Sequence, residues 1–202
     1  MNPAILHHVE TERKLVALTI DDGPSAFTPK ILDLLAEHDA RATFFLIGSR
    51  ALERPDLVAR IRDDGHQIGN HMMRDRPTVL FGTERFEEEL ARTARILELE
   101  GPGHVFRPPS SWIRGPQLAV LARRGYQCVL GSVYPHDTKH RNARFSSWFV
   151  LRRVRPGAIV ILHEGGPSRR AILPVLRRVL PELKGRGDRM VTLDSLMAAG
   201  PT

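Results

Sequence analysis

The chain has 202 residues, 42% apolar and 26% charged, which fits one soluble globular domain and leaves too little length for two. No apolar run approaches the roughly 18–20 residues of a membrane-spanning helix, and the single cysteine, Cys128 in the apolar run YQCVL, excludes an internal disulfide and reads as a buried, inert thiol. The net charge of +7 invites a nucleic-acid partner. However, the charge is nearly all arginine, paired along the chain as Arg123-Arg124, Arg152-Arg153, Arg169-Arg170 and Arg177-Arg178, without zinc-finger spacing or an aromatic-interleaved stripe, so a solvated surface is the stronger expectation.

The opening MNPAILHHVE lacks the basic start, long apolar centre and cleavage site of a secretory signal; the chain as written reads as cytoplasmic unless an export segment was removed. The run Leu15–Ile20 is apolar and β-branched, and it ends in Asp21-Asp22 before a Gly23-Pro24 turn, the pattern of a buried strand carrying two carboxylates at its C-terminal lip. Neighbouring residues on a strand point to opposite sides, so the two aspartates are expected to face different partners. Thr28–His38 is a helix with Pro29 at its first position, and Ala42–Ile47 is a continuous apolar strand closed by Gly48. Arg50–Asp64 is helical with a break at Pro55, and His66–Gly69 is a short strand.

Glu84–Glu100 is the clearest amphipathic helix, with Phe86, Leu90, Ala94 and Leu97 as its stripe. Val105-Phe106 is a strand before Arg107-Pro108-Pro109; Gln117–Arg124 is a helix, Tyr126–Gly131 a strand and Val133–Asn142 a polar loop. Phe145–Arg153 is a helix, Ala158–Leu162 a strand, Ala171–Leu183 a helix and Met190–Thr192 a last strand. This sustained alternation, with about seven strands in one domain, predicts a parallel sheet in a distorted (β/α)7 barrel that is incompletely closed, spanning residues 1–202 as a single domain.

The candidate polar groups fall at the ends of successive strands: Asp21 and Asp22 after the first, His71 and Asp75 after the third, Arg107 after the fourth, Asp137 after the fifth and His163 after the sixth. In a parallel barrel those ends open on one face, so the groups converge. A helical turn would put His71 and Asp75 on one side. With Asp22 they would make a site of two carboxylates and one imidazole with positions left open for water, as a hydrolytic metal centre requires.

TIDDGPS resembles the Thr-Phe-Asp-Asp-Gly-Pro signature of the polysaccharide deacetylases, the NodB-homology or carbohydrate esterase family 4 enzymes. The resemblance continues in order through Ala42-Thr43-Phe44-Phe45, Gly65-His66-Gln67-Ile68-Gly69-Asn70-His71, Arg107-Pro108-Pro109, IVILHE at Ile159–Glu164 and Thr192-Leu193-Asp194. It implies removal of an N-acetyl group from an N-acetylated sugar or polysaccharide by a divalent-metal hydrolase, zinc first, with cobalt, manganese or nickel as alternatives. Asp21 would be the general base and His163 the acid that protonates the leaving amine; Arg107 would orient Asp21, and Asp137 would orient His163. Asp22, His71 and Asp75 would be the metal ligands, and Pro109, Ser110, Trp112 and Ile161 would contact substrate.

Two positions depart from the family pattern. Asp75 stands where a second histidine is usual, and Ser110 replaces an aromatic residue whose backbone N–H helps bind the oxyanion. A carboxylate still binds zinc, and a backbone donor does not depend on its side chain. These departures suggest the main rival reading, a deacetylase-like module that binds carbohydrate or metal without turnover.

Overall fold

The apolar runs become the strands of one sheet in which every pairing is parallel, ordered β5-β4-β3-β2-β1-β6 with β7 beside the start of β1. The computed structural model describes residues 5–99, 101–140, 142–165 and 171–200. The first four residues, Glu100, Gly166 and the Arg169-Arg170 pair lie outside them. The strands are β1 (Leu15–Gly23), β2 (Thr43–Leu46), β3 (Gln67–Asn70), β4 (His104–Phe106), β5 (Tyr126–Cys128), β6 (Ile159–His163) and β7 (Arg189–Val191).

Around them lie α1 (Thr28–Glu37), α2 (Gly48–Glu53), α3 (Pro55–Asp63), α4 (Thr83–Ile96), α5 (Gly115–Arg123), α6 (Ala143–Arg153), α7 (Ile172–Gly185) and the short α8 (Leu193–Met197). The sheet thus curls into an incomplete barrel. Its open seam between β5 and β6 is held by isolated bridges, Val133 to Val160, Leu6 to Val129 and His8 to Ala158.

The alternation of β1 explains where the site lies. Val16, Leu18 and Ile20 point outward into a core shared with Ile31, Leu32 and Leu35 of α1, Ile61 of α3 and Val175, Leu176 and Val179 of α7. Each such side chain removed from water stabilises the fold by about 1.5–3 kcal/mol. Leu15 and Ala17 point inward, against Phe45, Val105, Ile159 and the Leu193 and Leu196 side chains of α8, which plug the lower end of the barrel. The next inward residues are Thr19 and Asp21, so the interior row turns from apolar to polar toward the C-terminal mouth.

Strict alternation would send Asp22 outward with Ile20. Instead the β1–β2 register shifts between Asp21 and Gly23, and Asp22 takes a left-handed φ of 69°. This bulge re-aims the second aspartate into the mouth beside the first, which strand periodicity alone does not reveal.

Three other segments depart from expectation. α4 ends at Ile96, because Leu97 caps it and Glu98 turns left-handed. β5 stops at Cys128 because the following residues pair with the N-terminal segment, Leu6 N–H donating to the Cys128 carbonyl and Leu130 N–H to that of Leu6. The stretch after His71 is a series of bends with Met72 at φ 64°, so the helical spacing invoked for His71 and Asp75 does not apply.

Candidate active site

Arg107 is the hub of the mouth. It leaves the end of β4, is 1% exposed, and its guanidinium lies 4.2 Å over the Phe45 ring. Its Nη1 donates to Asp21 Oδ1 at 2.6 Å and to Thr19 Oγ1 at 2.6 Å, while Nε and Nη2 reach the Val129 and Leu130 carbonyls at 3.2 and 3.3 Å. The ring that supports it is itself fixed by Gly69, where an added Cβ would sit 2.6 Å from Phe45. On the other flank of Asp21, His163 Nε2 stands 3.9 Å from Oδ2. His163 is oriented twice by Asp137, through Nδ1 to Oδ1 at 2.9 Å and through its backbone N–H to Oδ2 at 2.8 Å. Burial works against the imidazolium, but the Asp137 carboxylate, helped by Asp21 and Asp22, outweighs it and raises the His163 pKa.

The second half of the site uses the backbone of the same arginine. His71 Nδ1 lies 2.7 Å from the Arg107 carbonyl oxygen, so that nitrogen carries the proton and donates it. Nε2 then faces Asp22 Oδ1 at 3.3 Å, with both groups buried. Two acceptors held that close require a proton or a cation between them. Burial lowers the His71 pKa, yet Asp22 and Asp21 more than offset it and the net direction is upward. A zinc ion held at about 2.0–2.1 Å by two donors at a tetrahedral angle separates them by about 3.3 Å.

Three buried carboxylates, Asp21, Asp22 and Asp137, converge on the mouth, and that concentration of negative charge favours a bound cation.

These groups line one cleft of about 460 Å³, with Asp21, Asp22, His71, Asp75 and His163 on its floor and near wall and Ser110, Ser111, Trp112 and Tyr134 around the rim. Asp75 is exposed and borders the cleft without closing a three-ligand set: among the described residues no group of three His, Cys, Asp or Glu side chains is close enough to hold a metal. Trp112 is 67% exposed, its indole free to offer a face to a ligand. Ser110 also lines the cleft and sits at φ 65° in the turn Pro109–Ser111. Pro109 and Ile161 are buried and do not line it; Ile161 packs where a Cβ on Gly131 would fall.

Comparison with known proteins decides the family. The sequence profile of the polysaccharide deacetylases matches residues 8–129. The chain belongs to the polysaccharide deacetylase family. It is 36% identical over 194 residues to a peptidoglycan-N-acetylglucosamine deacetylase of Bacillus cereus, covering 94% of this chain and 91% of that protein. It is 35% identical to a chitooligosaccharide deacetylase of Sinorhizobium fredii, covering 85% and 86%.

A crystal structure of a peptidoglycan N-acetylglucosamine deacetylase in complex with 4-naphthalen-1-yl-N-oxidanyl-benzamide superposes with a TM-score of 0.91 at 32% identity, over 97% of this chain and 94% of that one. A family 4 acetyl xylan esterase of Clostridium thermocellum in complex with a cobalt ion gives 0.83 at 27%, over 93% of each chain. A mutant of a family 4 pseudoenzyme with restored enzymatic activity gives 0.89 at 26%, over 100% and 74%. The (β/α) barrel of this deacetylase-family chain is therefore the family's fold.

Two contributors were given no role from the sequence. Thr19 accepts from Arg107 and donates to the Val160 carbonyl at 2.6 Å; its position two residues before Asp21, on the same strand face, is the signal that marks it. Tyr134 stands 5.5 Å from the His163 ring and bonds Thr138 at 2.9 Å, and nothing local in the Val133–Asn142 loop announces it. His66 is structural: it accepts from the Ala42 N–H at 3.2 Å, and burial followed by the Arg41 charge lowers its pKa to about 4. Burial pushes the Cys128 thiol up to about 12, which makes it inert.

Proposed function

We propose that the chain is a metal-dependent hydrolase that removes the acetyl group from N-acetylglucosamine units of a glycan. The observation that carries this reading is the two-sided arrangement at the end of β1, with Asp21 set between Arg107 and His163 and Asp22 paired with His71. The named relatives act on peptidoglycan and on chitooligosaccharides, which supports an N-acetylated β-linked sugar as the substrate class.

An amide resists hydrolysis because its carbonyl is weakly electrophilic and its amine leaves poorly. Asp21, oriented by the Arg107 guanidinium, takes a proton from the attacking water. His163, kept cationic by Asp137, gives its proton to the departing nitrogen, so one proton is taken and one delivered for each C–N bond cleaved. The Ser110 N–H lies in the turn that rims the cleft and is the proposed donor to the developing oxyanion. Asp22 and His71 would hold a divalent ion, zinc first, with Asp75 on the neighbouring wall as a third ligand; when bound, such an ion polarises the acetyl carbonyl and acidifies water.

The exposed Asp75 and the pseudoenzyme neighbour favour a second reading, a module that binds metal or glycan without turnover. Acetate release from N-acetylglucosamine oligomers by zinc- or cobalt-loaded protein separates the two. The hydrolase reading expects release that disappears in Asp21→Asn; equal background release from both proteins selects the binding module. Asp75→Ala lowers metal affinity at least tenfold if Asp75 is a ligand, and unchanged affinity removes it from the set.

A further inference from the structure

The bend Met73–Arg76 is a ridge between two depressions. Asp75 lines the catalytic cleft, whereas Arg74 and Arg76 line a second cavity of about 480 Å³ whose far wall includes Arg85 and Arg92 of α4. The ridge is fixed at its base, where the Gly48 and Ser49 N–H groups donate to the Met72 and Met73 carbonyls at 2.9 and 3.1 Å.

Four guanidiniums line this cavity against two carboxylates, Glu53 and Glu89. Glu89 is occupied by Arg85, whose Nε reaches it at 3.3 Å. Arg74, Arg76 and Arg92 have no carboxylate within ion-pair distance among the described residues. Five arginines outside the cavity do pair, Arg60 with Asp33, Arg62 with Glu98, Arg123 and Arg124 with Glu87, and Arg186 with Glu182; what sets Arg74, Arg76 and Arg92 apart is that they gather in one concavity. Unpaired guanidiniums gathered in a concavity focus positive potential, and their planar forks match carboxylate and phosphate oxygens.

We propose that this cavity is an anion subsite, holding a carboxylate or phosphate carried by the same glycan whose N-acetyl group enters the cleft across the ridge. The proposal rests on the deacetylase reading for the identity of that glycan. It makes the enzyme selective for an anionic polymer over neutral chitin-like chains.

The test compares three oligomers of equal length with metal-loaded protein at low and moderate salt: neutral β-1,4-linked N-acetylglucosamine, one with lactyl carboxylates on alternate sugars, and one bearing a phosphate. The expected result is a kcat/KM about tenfold higher for a charged oligomer than for the neutral one, falling with salt; whichever charged oligomer is preferred identifies the source of the anion. In Arg76→Ala/Arg92→Ala that ratio drops toward one while the Tm stays unchanged, since both side chains are exposed. Equal kcat/KM for all three oligomers, or a preference that survives the double substitution, overturns the subsite. If no oligomer releases acetate, the deacetylase reading fails separately, and calorimetric binding still decides. Salt-sensitive binding of a charged oligomer that the double variant loses supports the subsite, and indifference to charge overturns it.

Discussion

Replacing Asp137 with Asn tests the acid half of the mechanism with almost no change of volume. Asp137 is buried and accepts from two donors of one residue, the His163 ring Nδ1 at 2.9 Å and the His163 backbone N–H at 2.8 Å. An amide offers one oxygen and one NH2, so one of those donors must face another donor. A hydrogen bond to a charged group contributes about 1.5–3 kcal/mol, which at about 1.4 kcal/mol per factor of ten predicts a roughly 10- to 100-fold fall in kcat/KM.

The loss should depend on pH. Asp137 raises the His163 pKa, so removing its charge lowers that pKa and moves the basic limb of the profile to lower pH. The deficit is therefore smallest in acid and grows as pH rises. The same interaction adds folding stability that is fully present below the unfolded histidine value of about 6.5 and is lost as pH rises through the raised folded value. Acetate release across a pH series, with the Tm followed in parallel, measures both. A loss of activity equal at every pH would refute the assignment of His163 as an acid tuned by Asp137.

Three further outcomes follow from the same contacts. Arg107→Met strands the buried Asp21 carboxylate and should cost about 3–5 kcal/mol in urea unfolding, and a cost under about 1 kcal/mol would contradict its role as hub. Burial pushes Glu164 up to about 7, against hydrogen bonds from the Ser25 and Thr28 hydroxyls at 2.6 Å. Its proton is thus held more tightly in the folded state, so stability should decline by about 3 kcal/mol as pH rises from about 4.5 through 7. Glu164→Gln should flatten that decline, and an unchanged slope in denaturation at the two pH values would refute it. Zinc should raise the Tm, by an amount equivalent to about 2.7 kcal/mol at a hundredfold excess over Kd. The increment should shrink on acidification as protons compete for His71 and vanish in His71→Ala; a pH-independent increment would place the ion elsewhere.

Much of the fold was legible because its signals are local. The apolar runs at Leu15–Ile20 and Ala42–Ile47, the stripe of α4 and the alternation of strand with helix are readable from neighbouring residues, and they suffice to predict parallel strands and the face on which they open. The pairs Asp21–Arg107 and Asp137–His163 were implied by the family resemblance, and strand-end positions accounted only for the members' gathering on one face. The relation of His71 to Asp75 was not legible. It depends on the path of an exposed bend, whose dihedrals are set by the hydrogen bonds of Met72 and Met73 to α2 rather than by the intervening residues.

What the sequence by itself determined is the set of chemical groups and the end of the barrel at which they gather, because strand periodicity and turn residues act over a few positions. Only the tertiary structure decided how those groups face one another. The bulge that turns Asp22 inward, the Arg107 carbonyl that fixes the His71 tautomer and the Thr19 hydroxyl beneath the guanidinium arise where strands far apart in the chain are pressed together, and no local preference encodes that contact.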